Sequence, residues 1–463
     1  MALNKKLNRR NFLKAGAVAG SAAALAACAP PPAAAPGAPA APDASAPTVA
    51  AAAPAAPAAS TSTRPLSPTF YQWIYDLHPH IPELNKTLPN VKAEIAPTEG
   101  FGIERFVAET KNKESTWDVY VGMTPFVEMT QLISTGAIVP WDDYIPKDVL
   151  DDIIPSIREE CSVNGKLYSW PFFLDITGSA WHSGITKAAG ITKAPTTWDD
   201  VLTGAKAIID SKAAPYGNVY DPQGWRSLAP MTHSMSTQVY TSEGRFDFNH
   251  DAAIEALILM KKLKDLGPAN LLEAGASDGG VNSTPDEVAF AAEKAGFYFK
   301  YFNSPYRMAA NWKDPNLLQI GAYPKFAGGE GSTVFWTTGA CLFTYGQNKE
   351  AAAEYMKTLT YDKKIWQDSI AGTAAAHPVQ LPVYTSIYKE WAASKPEWLP
   401  EAVNTISGQM PIAKAITNHL FGLKQFQLAR PFYEKYLLGQ ETSEKTVMQQ
   451  CMDAVTAELK KTA

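Results

Sequence analysis

Across residues 29–65 the chain is almost entirely alanine and proline with scattered serine and threonine, a composition that cannot bury a core and favours extended, semi-rigid backbone. Folding is therefore confined to the chain beyond this tract. At about 3.1 Å per residue in polyproline II, the tract reaches at most roughly 100 Å and reads as a spacer. Residues 66–463 suffice for one large or two medium domains, and a chain that is 46% hydrophobic and 19% charged can fill their cores.

Upstream of the spacer, Asn8-Arg9-Arg10-Asn11-Phe12-Leu13-Lys14 and the apolar stretch 15–27 resemble a twin-arginine export signal. Asn8 stands where a serine or threonine is common. Leu25-Ala26-Ala27-Cys28 resembles a lipobox, whose implied product is a diacylglyceryl group on Cys28. The division expected is a signal peptide at 1–27 and a lipidated cysteine with its linker at 28–66. Acyl chains contribute about 0.8 kcal/mol per buried methylene, so such a protein sits on a membrane, and no later apolar run reaches the roughly 18 residues of a spanning helix. Cys161, Cys341 and Cys451 remain, an odd number that permits at most one internal disulfide. All three are read as structural thiols.

Five of the 41 basic residues precede Cys28 and no acidic one does, which leaves 36 basic against 46 acidic groups after it. That balance argues against a nucleic-acid partner. The folded part alternates strand and helix patterns. Phe70-Tyr71-Gln72-Trp73-Ile74 is rich in strand formers, and Val91-Lys92-Ala93-Glu94-Ile95 alternates at period two. Asp118-Val119-Tyr120-Val121 reads as a short strand, and Thr197-Trp198-Asp199-Asp200 as a capping box opening a helix. Ile254, Leu257, Ile258 and Leu263 mark a helix that Gly267-Pro268 ends. This pattern implies an α/β fold with mostly parallel sheets, whose ligands gather at the carboxyl ends of strands.

Several stretches, in order, resemble the family 1 extracellular solute-binding proteins, the group that includes the maltose-binding proteins. They are Trp117-Asp118-Val119-Tyr120-Val121-Gly122, Gly136-Ala137-Ile138-Val139-Pro140-Trp141-Asp142-Asp143-Tyr144, Asn164-Gly165-Lys166-Leu167-Tyr168, Ala194-Pro195-Thr196-Thr197-Trp198-Asp199-Asp200, Glu293-Lys294-Ala295-Gly296-Phe297 and Gln347-Asn348-Lys349-Glu350-Ala351-Ala352. The resemblance of which they are part covers about residues 68 to 456. Gly122-Met123-Thr124-Pro125-Phe126 departs from the tryptophan and charged residues of the maltose-binding members, so malto-oligosaccharide specificity does not carry over. The resemblance implies a two-lobed periplasmic-binding-protein fold of type II, with lobes of 67–174 plus 331–374 and 176–330 plus 375–460. Their hinge crossings would fall near 174–176, 328–336 and 374–378. It also implies a monomer that captures a sugar or oligosaccharide and delivers it to the transmembrane subunits of an ABC importer, with no catalysis, no cofactor and no metal.

Sugars present partly apolar C–H faces edged with hydroxyls, so a cleft needs rings and a few planar polar groups. Candidates in the first lobe are Trp73 and Tyr75 after the first strand, Glu99 after the second, and Thr124 and Phe126 in the loop that carries ligand in the family. The competing reading of Glu99 is a solvated loop carboxylate. Asp175 on the first crossing can accept from two vicinal hydroxyls or brace the hinge. The second lobe offers Asp221, Gln223 and Trp225 in a polar aromatic loop, Tyr301 and Asn303 after the aromatic run, and Phe426 with Gln425 on a late helix. Trp336 stands on the second crossing among threonines.

Competing chemistries have thinner support. A phosphorylated polyol would demand convergent cations, with Arg105, Arg226 and Arg307 available, and a polyamine several cleft carboxylates. A tethered carbohydrate-active enzyme would need opposed carboxylates, whereas Glu159-Glu160 and Asp199-Asp200 are adjacent pairs pointing different ways. No phosphate-binding Gly-rich loop with its lysine occurs.

Overall fold

The computed structural model describes residues 64–462 except 79, 89, 96–102, 274–283, 372–379 and 417–421. Cys28 and the spacer up to residue 63 lie outside that set, as do Glu99 and all of the third expected crossing. Ten strands form the main sheet among the described residues. These are β1 (Pro68–Phe70), β2 (Glu94–Ile95), β3 (Val119–Met123), β4 (Ile138–Val139), β5 (Trp170–His182), β6 (Tyr216–Tyr220), β7 (Ala295–Tyr301), β8 (Leu318–Gly321), β9 (Val334–Phe343) and β10 (Lys414–Ala415). Their order is β2-β1-β3-β9-β5-β7-β6, with β8 on β5 and both β4 and β10 on β9.

The sheet is mixed rather than mostly parallel. β1 runs parallel to β2 and β3, and β6 to β7, but the two long strands β5 and β9 are antiparallel to each other and to most of their neighbours. Length explains the departure, because β5 is 13 residues long and serves two layers in succession. Its residues 170–176 pair with β9, and 177–181 with β7. The passage between layers thus falls between Ile176 and Thr177, next to Thr333, whose hydroxyl donates to the Thr177 carbonyl at 3.0 Å.

Two large apolar clusters sit on either side of that passage. One gathers Phe70, Trp117, Trp141, Phe172, Leu174 and Leu342, the other Trp198, Tyr220, Leu257, Phe299, Phe426 and Val447. The segment expected to join the second lobe from residue 375 packs otherwise. Leu381, Tyr384, Trp391, Ile406 and Ala413 belong to the first cluster, and the second resumes at Ile416. The cause is a backbone pairing of Leu381 with Leu174 that holds this stretch to the edge of β5.

Local chemistry accounts for the helices and turns. The Thr197 hydroxyl accepts from the Asp200 amide at 3.1 Å and the Asp200 carboxylate from the Thr197 amide at 3.0 Å, so the capping box opens the helix Trp198–Asp210 as its pattern predicts. Gly122 has φ +136°, and a Cβ there would come within 2.5 Å of the Tyr71 Cβ, so β3 passes Tyr71 only as glycine. Cys161, Cys341 and Cys451 are buried free thiols, and burial pushes each upward in pKa.

Candidate ligand-binding site

Where β5 passes between the layers, four rings from distant parts of the sequence converge. Trp225 meets Trp336 edge-on at 5.2 Å, Tyr301 meets Trp336 at 5.5 Å, and Phe126 lies 5.3 Å from Trp225. Phe126 reaches them from a single π-helical turn, Pro125–Met129, that leaves β3. Met123 and Met129 on either side stay in the first core, while Phe126 crosses to the second. Inside the turn the buried Glu128 accepts from the Thr124 amide at 3.0 Å, and burial outweighs that bond and its Tyr120 contact to raise its carboxyl to about 8. Thr124 therefore contributes its backbone to the turn.

The polar groups are layered behind the rings. Asp175 is buried and accepts from Asn303 Nδ2 at 2.6 Å. Burial raises its pKa to about 7 against the opposing pull of the Arg307 and Arg226 guanidiniums. Asp221 accepts from Arg226 at 2.7 Å and from the Gln223 amide at 3.0 Å, and Gln223 Oε1 accepts from the Trp225 indole at 3.1 Å. Arg226 stacks over Trp225 at 4.2 Å and faces Tyr301 at 5.3 Å. Arg307 donates to the Tyr301 hydroxyl at 3.0 Å. Underneath, Lys300 is enclosed by Asp221, Asp286 and Glu287 at 3.2, 3.1 and 2.9 Å. Burial would raise Asp221, but Lys300 and Arg226 reverse it and hold the carboxyl below its usual range. Asp286 is raised by burial despite Lys300.

Several expected contacts take other roles. Tyr75 packs edge-on against Phe70 at 5.4 Å beside the first core. Phe426 stacks among Phe246 and Phe248 at 5.2 and 5.9 Å, and Gln425 accepts from the Phe246 amide at 2.9 Å, so both serve the second core. The side chain of Trp73, like all of Glu99, lies outside the described residues. Arg105 pairs with Glu109 over Trp117, away from the rings. Sequence reasoning missed Lys300, Asp286 and Glu287. The signal was a lone lysine within the strand Phe297-Tyr298-Phe299-Lys300-Tyr301, a position that burial permits only with acidic partners.

A separate groove of about 990 Å³ lies beside the helix Pro155–Glu160. Ile154, Glu160, Tyr240, Tyr388, Trp391 and Met410 line it, and none of the four converging rings does. Glu160 accepts from the Thr337 hydroxyl at 2.7 Å and its amide at 3.3 Å, and burial raises its carboxyl to about 8.

Over residues 67–364 the chain matches the profile of the bacterial extracellular solute-binding proteins, and residues 6–26 match the twin-arginine translocation signal. It belongs to that solute-binding family and is exported from the cytoplasm. A probable ABC transporter-binding protein of Deinococcus radiodurans is 23% identical over 47% of this chain, an alignment spanning about half (52%) of that relative. Among solved structures, the GacH receptor of Streptomyces glaucescens, determined unliganded and with acarbose, superposes with a TM-score of 0.69 at 17% identity, covering 85% of this chain and 99% of that one. The cyclic α-maltosyl-1,6-maltose binding protein of Arthrobacter globiformis gives 0.65 at 19%, covering 86% and 99%. At such identities the likeness is one of fold, the two-lobed α/β architecture of these receptors.

Proposed function

We propose that this protein is the extracytoplasmic receptor of an ABC importer, held to a membrane by a lipid on Cys28, and that it captures a sugar or oligosaccharide and releases it unchanged to the permease. The observation that carries the reading is the convergence of Trp225, Trp336, Tyr301 and Phe126 around the buried carboxylate of Asp175. Rings match the C–H faces of a pyranose, and a carboxylate takes its edge hydroxyls. The Deinococcus relative's description supports the transporter role, and the ligands named for the Streptomyces and Arthrobacter receptors support the ligand class.

A phosphorylated polyol is the second reading, because Arg226 and Arg307 both face Tyr301. Asp221 and Glu287 already offset those charges, which favours a neutral ligand. A thermal-shift screen of the mature chain against sugars, polyols, sugar phosphates, polyamines and amino acids tests the choice, since a ligand at 100 times its dissociation constant adds about 2.7 kcal/mol. Stabilisation by sugars, with the sugar recovered intact, is the expected result. A response only to phosphates, or conversion of the sugar, overturns it. For the anchor, Cys28→Ser is expected to leave the protein in the soluble fraction after a salt wash. Retention in the membrane pellet refutes lipidation.

A further inference from the structure

We propose that Gln380 is a ligand-reading residue of the ring-lined site, forming with Asp175 a cross-strand pair that takes two neighbouring hydroxyl groups of the sugar. The inference rests on the sugar reading above and assigns a residue that lies outside every family-like stretch of the sequence. Leu174 and Leu381 exchange both backbone hydrogen bonds, at 2.8 and 3.3 Å, in an antiparallel bridge. Extending that register by one position sets Asp175 opposite Gln380. Residues directly opposite one another project from the same face of a sheet. On its other side Asp175 is paired with Trp336 of β9, so Trp336, Asp175 and Gln380 fall in a row across β9, β5 and the segment bridged to β5 at Leu381. The alternation agrees, because Leu174, Leu381 and Val383 all enter the first core from the opposite face.

What distinguishes Gln380 is its isolation. It is fully buried, yet neither Nε2 nor Oε1 has a hydrogen-bond partner. Among the described residues the other two buried glutamines are each held at one end or both: Gln425 uses both ends of its amide, and Gln409 accepts from the Tyr323 amide at 2.8 Å although its Nε2 has no partner. An orphaned buried amide destabilises the ligand-free fold, and few are found in native proteins. A group that supplies the missing partners removes that cost on binding. The chemistry fits a diol. Once ionised, Asp175 only accepts, whereas the Gln380 amide can donate to one hydroxyl oxygen and accept from the other's proton. Asn303 already holds the Asp175 carboxylate in place, so the pair is oriented before the ligand arrives.

The test uses the mature chain and titration calorimetry with maltose, trehalose, D-glucose and D-mannitol, followed by monodeoxy analogues of whichever binds most tightly. Gln380→Leu is expected to weaken that sugar at least about tenfold, while the ligand-free melting temperature holds or rises because an unsatisfied amide has gone. One monodeoxy analogue should lose a similar factor with the wild type and bind the variant no worse than the parent sugar does. Gln380→Met, of matching length without the amide, repeats the measurement should leucine perturb packing. Unchanged affinity in both variants overturns the inference while leaving the sugar reading intact. A lowered ligand-free melting temperature in both marks a structural glutamine and overturns it as well. Failure of the wild type to bind any of the four sugars refutes the sugar reading and the inference with it.

Discussion

The two faces of the β5–β9 pair are built from alternate residues of the same strands, yet they are finished in opposite ways. On one face Thr337 gives both its hydroxyl and its amide to Glu160, and Cys161 lies 3.3 Å from that hydroxyl. Those partners come from one short helix and complete the face locally. On the other face Trp336 and Asp175 are completed by Tyr301, Asn303 and Trp225, which belong to the second layer, and Gln380 is left without a partner. A face closed by its neighbours is a support. A face that borrows from another layer, and still has groups to satisfy, is where a ligand adds something.

The largest effect should come from the foundation of the open face. Lys300→Met leaves Asp221, Asp286 and Glu287 without their shared cation, and removing one member of a buried ionic cluster typically costs about 3–5 kcal/mol. Urea denaturation is expected to register a loss of that order, and a loss below about 1 kcal/mol would mean the acidic groups protonate instead.

Next come the rings. Trp225→Ala and Trp336→Ala should each cost about 2 kcal/mol of binding, roughly thirtyfold in dissociation constant, with the fold retained. Normal binding by both would dissolve the distinction between the faces.

A finer effect arises at Asp175. Its carboxyl, raised to about 7, must ionise to serve as a full acceptor, so sugar affinity should increase as the pH climbs through 7. Asp175→Asn is expected to flatten that profile, and a wild-type affinity independent of pH between 6 and 8 would contradict the assignment.

The smallest effect belongs to the closed face. Glu160 keeps its proton in the folded protein to about 8 against a reference of 4.5, so its contribution to stability is complete below 4.5 and is lost as the pH rises through 8. Glu160→Gln should shallow the decline of melting temperature across that window and leave sugar affinity unchanged. Part of the slope will persist, because Glu128 is raised to about 8 as well. A change in affinity would show that the faces are coupled.

Much of this was legible because it is local. The Thr197 capping box announces itself within four residues, and Asp175 and Trp336 stand out as a charge and a large ring in stretches otherwise suited to buried strands. Chain topology hid the remainder. Phe426 and Trp225 are both aromatic residues in polar company, and only the third dimension shows that one meets Phe246 and the other Trp336. Lys300 is one letter among aromatics until Asp286 and Glu287 are brought beneath it. Gln380 was invisible for the same reason, since its isolation depends on pairing with a strand some 200 residues earlier. The expected boundary at residue 375 failed there too, because nothing in the composition of 381–413 says which layer it joins.

Arg64 opens the described chain, and its guanidinium meets Asp118 at 2.5 Å. The same carboxylate accepts from the amides of Ser67, Gln347 and Asn348, so one buried group ties the entry of the chain to β1, to β3 and to the turn before the helix Lys349–Tyr361. In mechanical terms Asp118 is a cleat. Force applied at Arg64 would be divided at once between separate parts of the first core instead of peeling β1 away one bond at a time. A pull on the chain at Arg64 would therefore load the first core before it reached the passage between the layers.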